Sequence, residues 1–161
     1  RQYAFSEHNW HDYEALGRGI RGEGYLLIRN FRPYAAWQGP ADSVRSPSHQ
    51  SLQAARDSER LTTAQAEVFM APRPAVELYD LRQDPHQLTN LAGMKEHTAT
   101  RAKLNALLER WMDETHDSQP AEISQDAFDR ETGKSLGVKD YRRTTPGSDR
   151  QADHSHAPGP R

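Results

Sequence analysis

The sequence predicts an α+β fold in which a small antiparallel sheet packs against a long C-terminal amphipathic helix. Two apolar segments with strand character are joined by Gly-Glu-Gly at residues 22–24, which is the turn chemistry of a tight hairpin. Between residues 94 and 115, Leu104, Leu108 and Trp111 recur at helical spacing and define one apolar face. We expect that face to lie across the sheet.

Four short segments have the residue pattern of strands. Aromatic and polar residues alternate in segment 2–7, segments 17–21 and 24–31 flank the hairpin turn, and segment 76–81 follows later. An Asp-Pro pair at residues 84–85 ends the last strand, because proline lacks a backbone donor and disfavours helix at the residue before it.

Helix-capping residues divide the middle of the chain. We interpret residues 33–46 as a loop. Ser46 followed by proline is typical of an N-cap and a first helical position, and it predicts a helix to about residue 58. Thr62 and Gln65 fit a capping box that begins a second, shorter helix.

The composition bounds the size of the fold. Of the 161 residues, 34% are hydrophobic, and the mean hydropathy of -1.01 is low for an independent globule. We predict one unit at residues 1–117, incomplete without further chain, followed by a polar tail at residues 118–161. The tail has too little apolar surface to offset its ordering entropy, so we expect it to be largely disordered, unless it folds back on the rest of the protein.

Charge and residue usage argue against several partners. The formal net charge of -2 gives no basic field for nucleic acid, and no apolar run reaches the roughly 20 residues that cross a membrane. Without cysteine, the chain has no disulfide and no thiolate site. The chain starts at Arg1, so we expect any export leader to lie upstream; the localisation is then unknown, and periplasmic or secreted if such a leader exists.

The segment Glu7–Asp12 is the best candidate for chemistry, since it holds two carboxylates and two imidazoles. His8 and His11 can each donate or accept a hydrogen bond, which suits contacts with hydroxyl groups or a sulfate ester. A polar turn with structural histidines explains the same residues. Their spacing would bind zinc on a helix, but Trp10 and the preceding strand argue against a helix, and we predict no metal site.

Arg18 and Arg21 are the next candidates. They lie on either side of Ile20 on a predicted strand, and we expect both to share one face. Their planar forks suit sulfate and carboxylate groups. The alternative is that they are surface residues of a hairpin, paired with Glu23 or Asp12.

The segment Glu77–Ala92 carries the most specific pattern in the chain. It contains Glu-Leu-Tyr-Asp-Leu, then Asp84 with proline, then Asn90-Leu-Ala. A strand, an Asp-Pro turn, this tripeptide and a helix, in that order, resemble the signature near the C-terminus of the type I sulfatases. Read from the residues alone, Tyr79 packs with its polar tip outward, Asp84 accepts turn amides and Asn90 caps the next helix.

Further matches follow in the same order and resemble the heparan N-sulfatase (N-sulfoglucosamine sulfohydrolase) branch of that family, in bacterial form. They are His11-Asp12, residues 18–21, residues 25–30, Ser46-Pro47 and the block at residues 111–117.

The resemblance implies that the reaction belongs to an upstream domain. There, a Cys or Ser in a Cys/Ser-x-Pro-x-Arg motif becomes formylglycine beside a calcium ion. This chain has no such motif, so we expect no catalytic residue in it and place formylglycine and calcium in the missing catalytic domain. The chain would be the C-terminal subdomain that docks on that domain and completes the pocket for sulfate esters or N-sulfate groups of sulfated sugars, such as heparan sulfate. His8, His11 and Arg21 are the implied contacts to this carbohydrate substrate.

Two other interpretations remain at this stage. One is a stand-alone carbohydrate-binding or interaction module, and the other is an inactive, truncated gene product. A homodimer is also left open.

Overall fold

The computed structural model describes residues 2–117, 119 and 121–139, and the predicted α+β class is confirmed. Four antiparallel strands lie side by side in chain order: β1 (Tyr3–Trp10), β2 (Glu14–Gly22), β3 (Tyr25–Asn30) and β4 (Val76–Asp80). The α-helices are α1 (Ala41–Val44), α2 (Pro47–Asp57), α3 (Thr63–Ala66) and α4 (Thr98–Glu114), with single 3-10 turns at Glu67–Phe69 and Lys95–His97.

The hairpin between β2 and β3 forms as predicted. Its two turn residues, Glu23 and Gly24, have φ angles of 54° and 81°, and positive φ at both central positions is typical of a type I′ turn. The first connection differs from the prediction, because β1 continues to Trp10, where it pairs with Glu14 after an irregularity in register. His8 therefore lies on a strand and not in a turn.

Helix α4 covers one face of the sheet, as its apolar spacing predicts. Leu104 and Leu108 are buried in the same cluster as Ile20, Leu27 and Leu78. At the rim of this cluster, the ring of Trp111 stacks on Phe5, with centroids 5.3 Å apart and an interplanar angle of 5°. This face supplies the hydrophobic core of the fold.

Asn90 anchors the loop that follows β4. Its side-chain oxygen accepts a hydrogen bond from the Leu78 amide at 3.0 Å, and its amide group donates to the Val76 carbonyl at 3.2 Å. The predicted cap of the next helix is wrong, since α4 begins eight residues later, at Thr98. Asn90 instead forms hydrogen bonds with backbone groups of the edge strand β4.

The other two signature residues are structural as well. The Asp84 carboxylate accepts the Thr89 amide at 2.8 Å, as predicted for a turn. The Tyr79 hydroxyl, however, does not point outward: the residue is buried and donates to the Glu77 carboxylate. Asn90 and these two residues fix the end of β4 and the path to α4.

The predicted helix caps also form. The Ser46 hydroxyl oxygen accepts the His49 amide at 3.2 Å, and Thr62 and Gln65 make the reciprocal bonds of a capping box. The loop predicted at residues 33–46 contains one element that the sequence did not indicate, the four-residue helix α1.

Residues 121–139 of the predicted polar tail fold back on the chain, which is one of the two outcomes that the sequence left open. The Ser124 amide donates to the buried Glu14 carboxylate at 2.7 Å, and the Ala127 amide donates to the Asp12 carbonyl at 3.1 Å. Polar groups, which an estimate from apolar surface ignores, hold this segment against the start of β2. Residues 140–161, with His154 and His156, lie outside the described residues.

Within the described residues, no helix combines the length and apolar character that a membrane crossing requires.

Candidate functional site

A cleft of about 390 Å³ lies on the face of the sheet away from α4. That volume falls within the range of roughly 300–1,000 Å³ that is usual for small-molecule pockets. Strands β1, β2 and β3 form the floor of the cleft, which is lined by Ser6, Gly17, Gly19, Leu26 and Ile28. The walls come from the end of β1 and from the loop after β3.

Two glycines keep the floor low. A Cβ atom on Gly17 would meet nothing closer than the Arg29 carbonyl oxygen, at 3.8 Å, so the fold has room for a side chain here. A Cβ atom on Gly19 would meet only the flexible Ser6 hydroxyl at short distance, 2.8 Å. The missing side chains therefore give the cleft depth.

His8 lies in the wall of the cleft. Its ring centroid is 5.2 Å from that of Trp37, and the two planes are tilted by 33°. Burial lowers the pKa of His8 below its ordinary value of 6.5, and the proximity of His11 and of the Arg18 guanidinium lowers it further. At neutral pH the imidazole is therefore mostly uncharged, with one nitrogen donating and one accepting.

His11 lines the same cleft from its mouth, and 62% of its side chain is exposed. Its Nδ1 lies 3.3 Å from the Asp12 carboxylate. Asp12 itself has a structural role, since its carboxylate accepts the Ala41 amide at 2.6 Å where α1 begins. The structure thus brings both predicted histidines to one cleft, with His8 inside and His11 at the entrance.

The structure does not bring Arg21 to this cleft. Arg21 lines a second cavity at the other end of the same face. It also does not share a face with Arg18, because residues three positions apart on a strand point to opposite sides. The expectation of one arginine face was wrong for this reason.

Arg18 is a buried structural residue, 1% exposed. Its guanidinium forms two parallel hydrogen bonds to the Asp117 carboxylate, at 2.8 and 2.7 Å, and a third to the Gly17 carbonyl. The predicted partners, Glu23 and Asp12, were wrong, because Arg18 points into the protein toward the residues that follow α4.

Sequence reasoning missed Trp37, which stands over the cleft with 45% of its surface exposed. The Arg73 guanidinium lies 5.4 Å from the Trp37 ring and 3.2 Å from the Glu77 carboxylate. Tyr13 donates to the carbonyl of Gly39, which holds the loop near its end. A tryptophan in a polar loop before Gly-Pro was the available signal, but only the folded loop places it beside His8.

Comparison with known proteins bears on this site. No family model matches the chain. An ulvan-active sulfatase from Formosa agariphila is 32% identical to it over 96 residues, which are 59% of this chain and 16% of that protein. The chain is similar in sequence to part of this sulfatase. It spans about a sixth of the length of this relative, and the predicted resemblance to a C-terminal sulfatase region is confirmed.

Solved structures show only loose likenesses to this chain. A 2-O GAG sulfatase is 19% identical, with 78% of this chain and 19% of that chain covered and a TM-score of 0.45. A protein in complex with its substrate D-glucosamine-2-N,6-O-disulfate is 18% identical, with 70% and 16% covered and a TM-score of 0.40. Superpositions with scores below 0.5 support no functional conclusion.

The cleft presents three side chains of different chemistry. It combines an uncharged imidazole, a second imidazole at the entrance and an exposed indole. The nearby arginines are already paired; Arg32, for example, lies 2.7 Å from the Glu14 carboxylate. Within residues 2–117, 119 and 121–139, no group of three or more His, Asp or Glu side chains is arranged to hold a metal ion.

Proposed function

We propose that this chain completes the substrate pocket of a sulfatase that acts on sulfated sugars, while a separate catalytic domain of the same protein carries the reaction. One observation carries the proposal: a sulfatase-related chain presents His8, His11 and exposed Trp37 around one cleft. In such a pocket the chain binds and orients the sugar.

The three side chains suit the parts of a sulfated sugar. Sulfate oxygens only accept hydrogen bonds, and His8 and His11 each have a ring N–H to donate. A sugar ring has an apolar face, and the exposed indole of Trp37 offers an apolar surface of matching size. Arg21, which lines the second cavity and not this cleft, has a planar fork for a sulfate group farther along the substrate.

The catalytic domain would supply the formylglycine nucleophile and its calcium ion. No residue of this chain takes part in that step in our proposal. The substrate class is sulfate esters or N-sulfate groups of polysaccharides; ulvan is named for the relative, and the heparan N-sulfatase resemblance favours N-sulfated glucosamine. A periplasmic or secreted location would give the enzyme access to such polymers.

The test uses the protein that contains both this chain and its catalytic domain. We expect His11→Ala to raise KM or lower kcat about tenfold or more, because it removes a donor to a charged group. His86→Ala is the matched control, since His86 is an exposed histidine outside the cleft. The 161-residue chain alone should release no sulfate.

Two results would reject the proposal. Sulfate release by the purified 161-residue chain would place the chemistry within it. Unchanged kinetics in both His8→Ala and His11→Ala would return the histidines to a purely structural role. If the natural protein that carries this chain has no sulfatase catalytic domain and still binds saccharides, a stand-alone carbohydrate-binding module would instead be favoured.

A further inference from the structure

We propose that the uncovered face of the sheet binds an extended sulfated saccharide, and that Arg21 holds an anionic group on a sugar unit beyond the one at His8 and His11. The inference rests on the proposed function for the first unit. It adds the class of substrate, an oligomer with sulfate on more than one unit, and a separate role for Arg21.

Two neighbouring cavities lie on the uncovered face of the sheet. A second cavity of about 390 Å³ adjoins the cleft on the same face, and Arg21 lines it. Ser6 and Leu26 line both cavities, so the two share a boundary and form one trough along the strands.

The two ends of the trough are farther apart than one sugar unit can span. In the pairing of β1 with β2, His8 lies opposite Gly17, whereas Ala4 lies opposite Arg21. His8 and Ala4 are four residues apart, which at about 3.3 Å per residue is about 13 Å along the strand. A single sugar ring does not reach that far, so one ligand that contacts both ends must have more than one unit.

The Arg21 side chain is available to bind a ligand. Its side chain is exposed, and its guanidinium forms no ion pair with any described residue. Arg18, on the same strand, is paired with Asp117, and Arg29, on the neighbouring strand, is paired with Glu109 at 2.9 Å. A free guanidinium beside a cavity is suited to a sulfate group through two parallel hydrogen bonds.

The residues that lie between His8 and Arg21 along the trough are small. Ser6 and Gly19 face each other across β1 and β2, and Ala4 follows at the Arg21 end. These are among the smallest side chains, so they leave the trough unobstructed between His8 and Arg21.

The test is binding to the 161-residue chain by titration calorimetry, with sulfated disaccharides and hexasaccharides prepared from ulvan and from heparin. We expect Arg21→Ala to weaken hexasaccharide binding about tenfold and to leave disaccharide binding unchanged, since only the longer ligand reaches Arg21. Arg29→Ala is the control, because it removes the same charge from the opposite face.

A second variant tests the second cavity. Ala4→Phe places a bulky side chain, well tolerated in strands, at an exposed position that lines the second cavity and not the first cleft. It should abolish the advantage of hexasaccharides over disaccharides while disaccharides still bind. Circular dichroism verifies that each variant keeps the fold.

Three results would overturn the inference. They are equal weakening by Arg21→Ala and Arg29→Ala, equal affinity of the unsubstituted chain for both ligand lengths, and weakened disaccharide binding in Arg21→Ala. All three leave the proposed function intact. Failure of the unsubstituted chain to bind any of these saccharides would also overturn the inference, whereas the proposed function is rejected only by the sulfate-release and kinetic results given above for it.

Discussion

The two faces of the sheet come from the same four strands but differ in how closely they are packed. The face under α4 presents Ile20, Leu27 and Leu78, all fully buried. The other face presents Gly17 and Gly19 beside the half-buried Leu26 around an open trough. The first is packed as a core, and the second leaves room for another molecule.

This difference separates stability from recognition along each strand. Because side chains of a strand alternate between faces, neighbours can have unrelated roles. On β2, Arg18 anchors the end of α4 through Asp117, while Gly17 beside it lines the floor of the cleft. Substitutions one position apart should therefore affect either unfolding or binding.

The largest effect should follow from Asp117→Ala on the covered side. Arg18 would keep its charge in a site with 1% exposure and with only the more distant Glu7 carboxylate, at 4.0 Å, and removal of one partner of a buried ion pair costs about 3–5 kcal/mol. Urea unfolding measures the loss. Glu109→Ala, which breaks the exposed pair with Arg29, should cost no more than about 1 kcal/mol. Similar losses in the two variants would contradict this account.

The next largest loss of stability should come from substitution of a core leucine, compared with a leucine on the other face. Leu108→Ala opens a cavity in the packed core and should lower the free energy of unfolding by about 2–5 kcal/mol. Leu26 lines the trough and is only half-buried, so Leu26→Ala should cost clearly less. If chemical denaturation gives equal losses, the trough is packed like a core and our distinction fails.

The smallest effect concerns the pH dependence of stability. Burial lowers the pKa of His8 in the folded protein below the value of 6.5 that the unfolded chain retains. As the pH falls below 6.5, the unfolded state takes up more protons, so this contribution to stability is complete above 6.5 and declines below it. His49 acts in the same direction, also through burial.

The contribution of His8 is isolated by difference. Urea unfolding from pH 5 to pH 8 should give a curve that falls less steeply toward acid for His8→Gln than for the unsubstituted protein. Parallel curves would mean that His8 is not buried in the wall of the cleft.

The predictions from sequence that hold depend on neighbours in the chain. Positive φ in the hairpin turn, the cap at Ser46, the capping box at Thr62 and the apolar face of α4 each arise within a few residues. Local chemistry determines such features almost independently of the rest of the fold.

The features that sequence reasoning missed depend on distant contacts. Arg18 finds its partner 99 positions away, and the Ser124 amide meets Glu14 across 110 positions. Trp37 reaches His8 only because a whole loop folds over the sheet. No periodicity or spacing encodes these pairings, so the depth of the cleft and the order of residues 121–139 emerged only from the three-dimensional structure.

The most direct test of the account uses the two tryptophans that mark the two faces, Trp37 at the cleft and Trp111 against Phe5. Their indole N–H signals can be followed by NMR while a sulfated hexasaccharide is added to the 161-residue chain. We predict that the Trp37 signal shifts with ligand concentration and that the Trp111 signal stays in place. A shift at Trp111 with none at Trp37 would contradict the assignment of the uncovered face as the saccharide-binding surface.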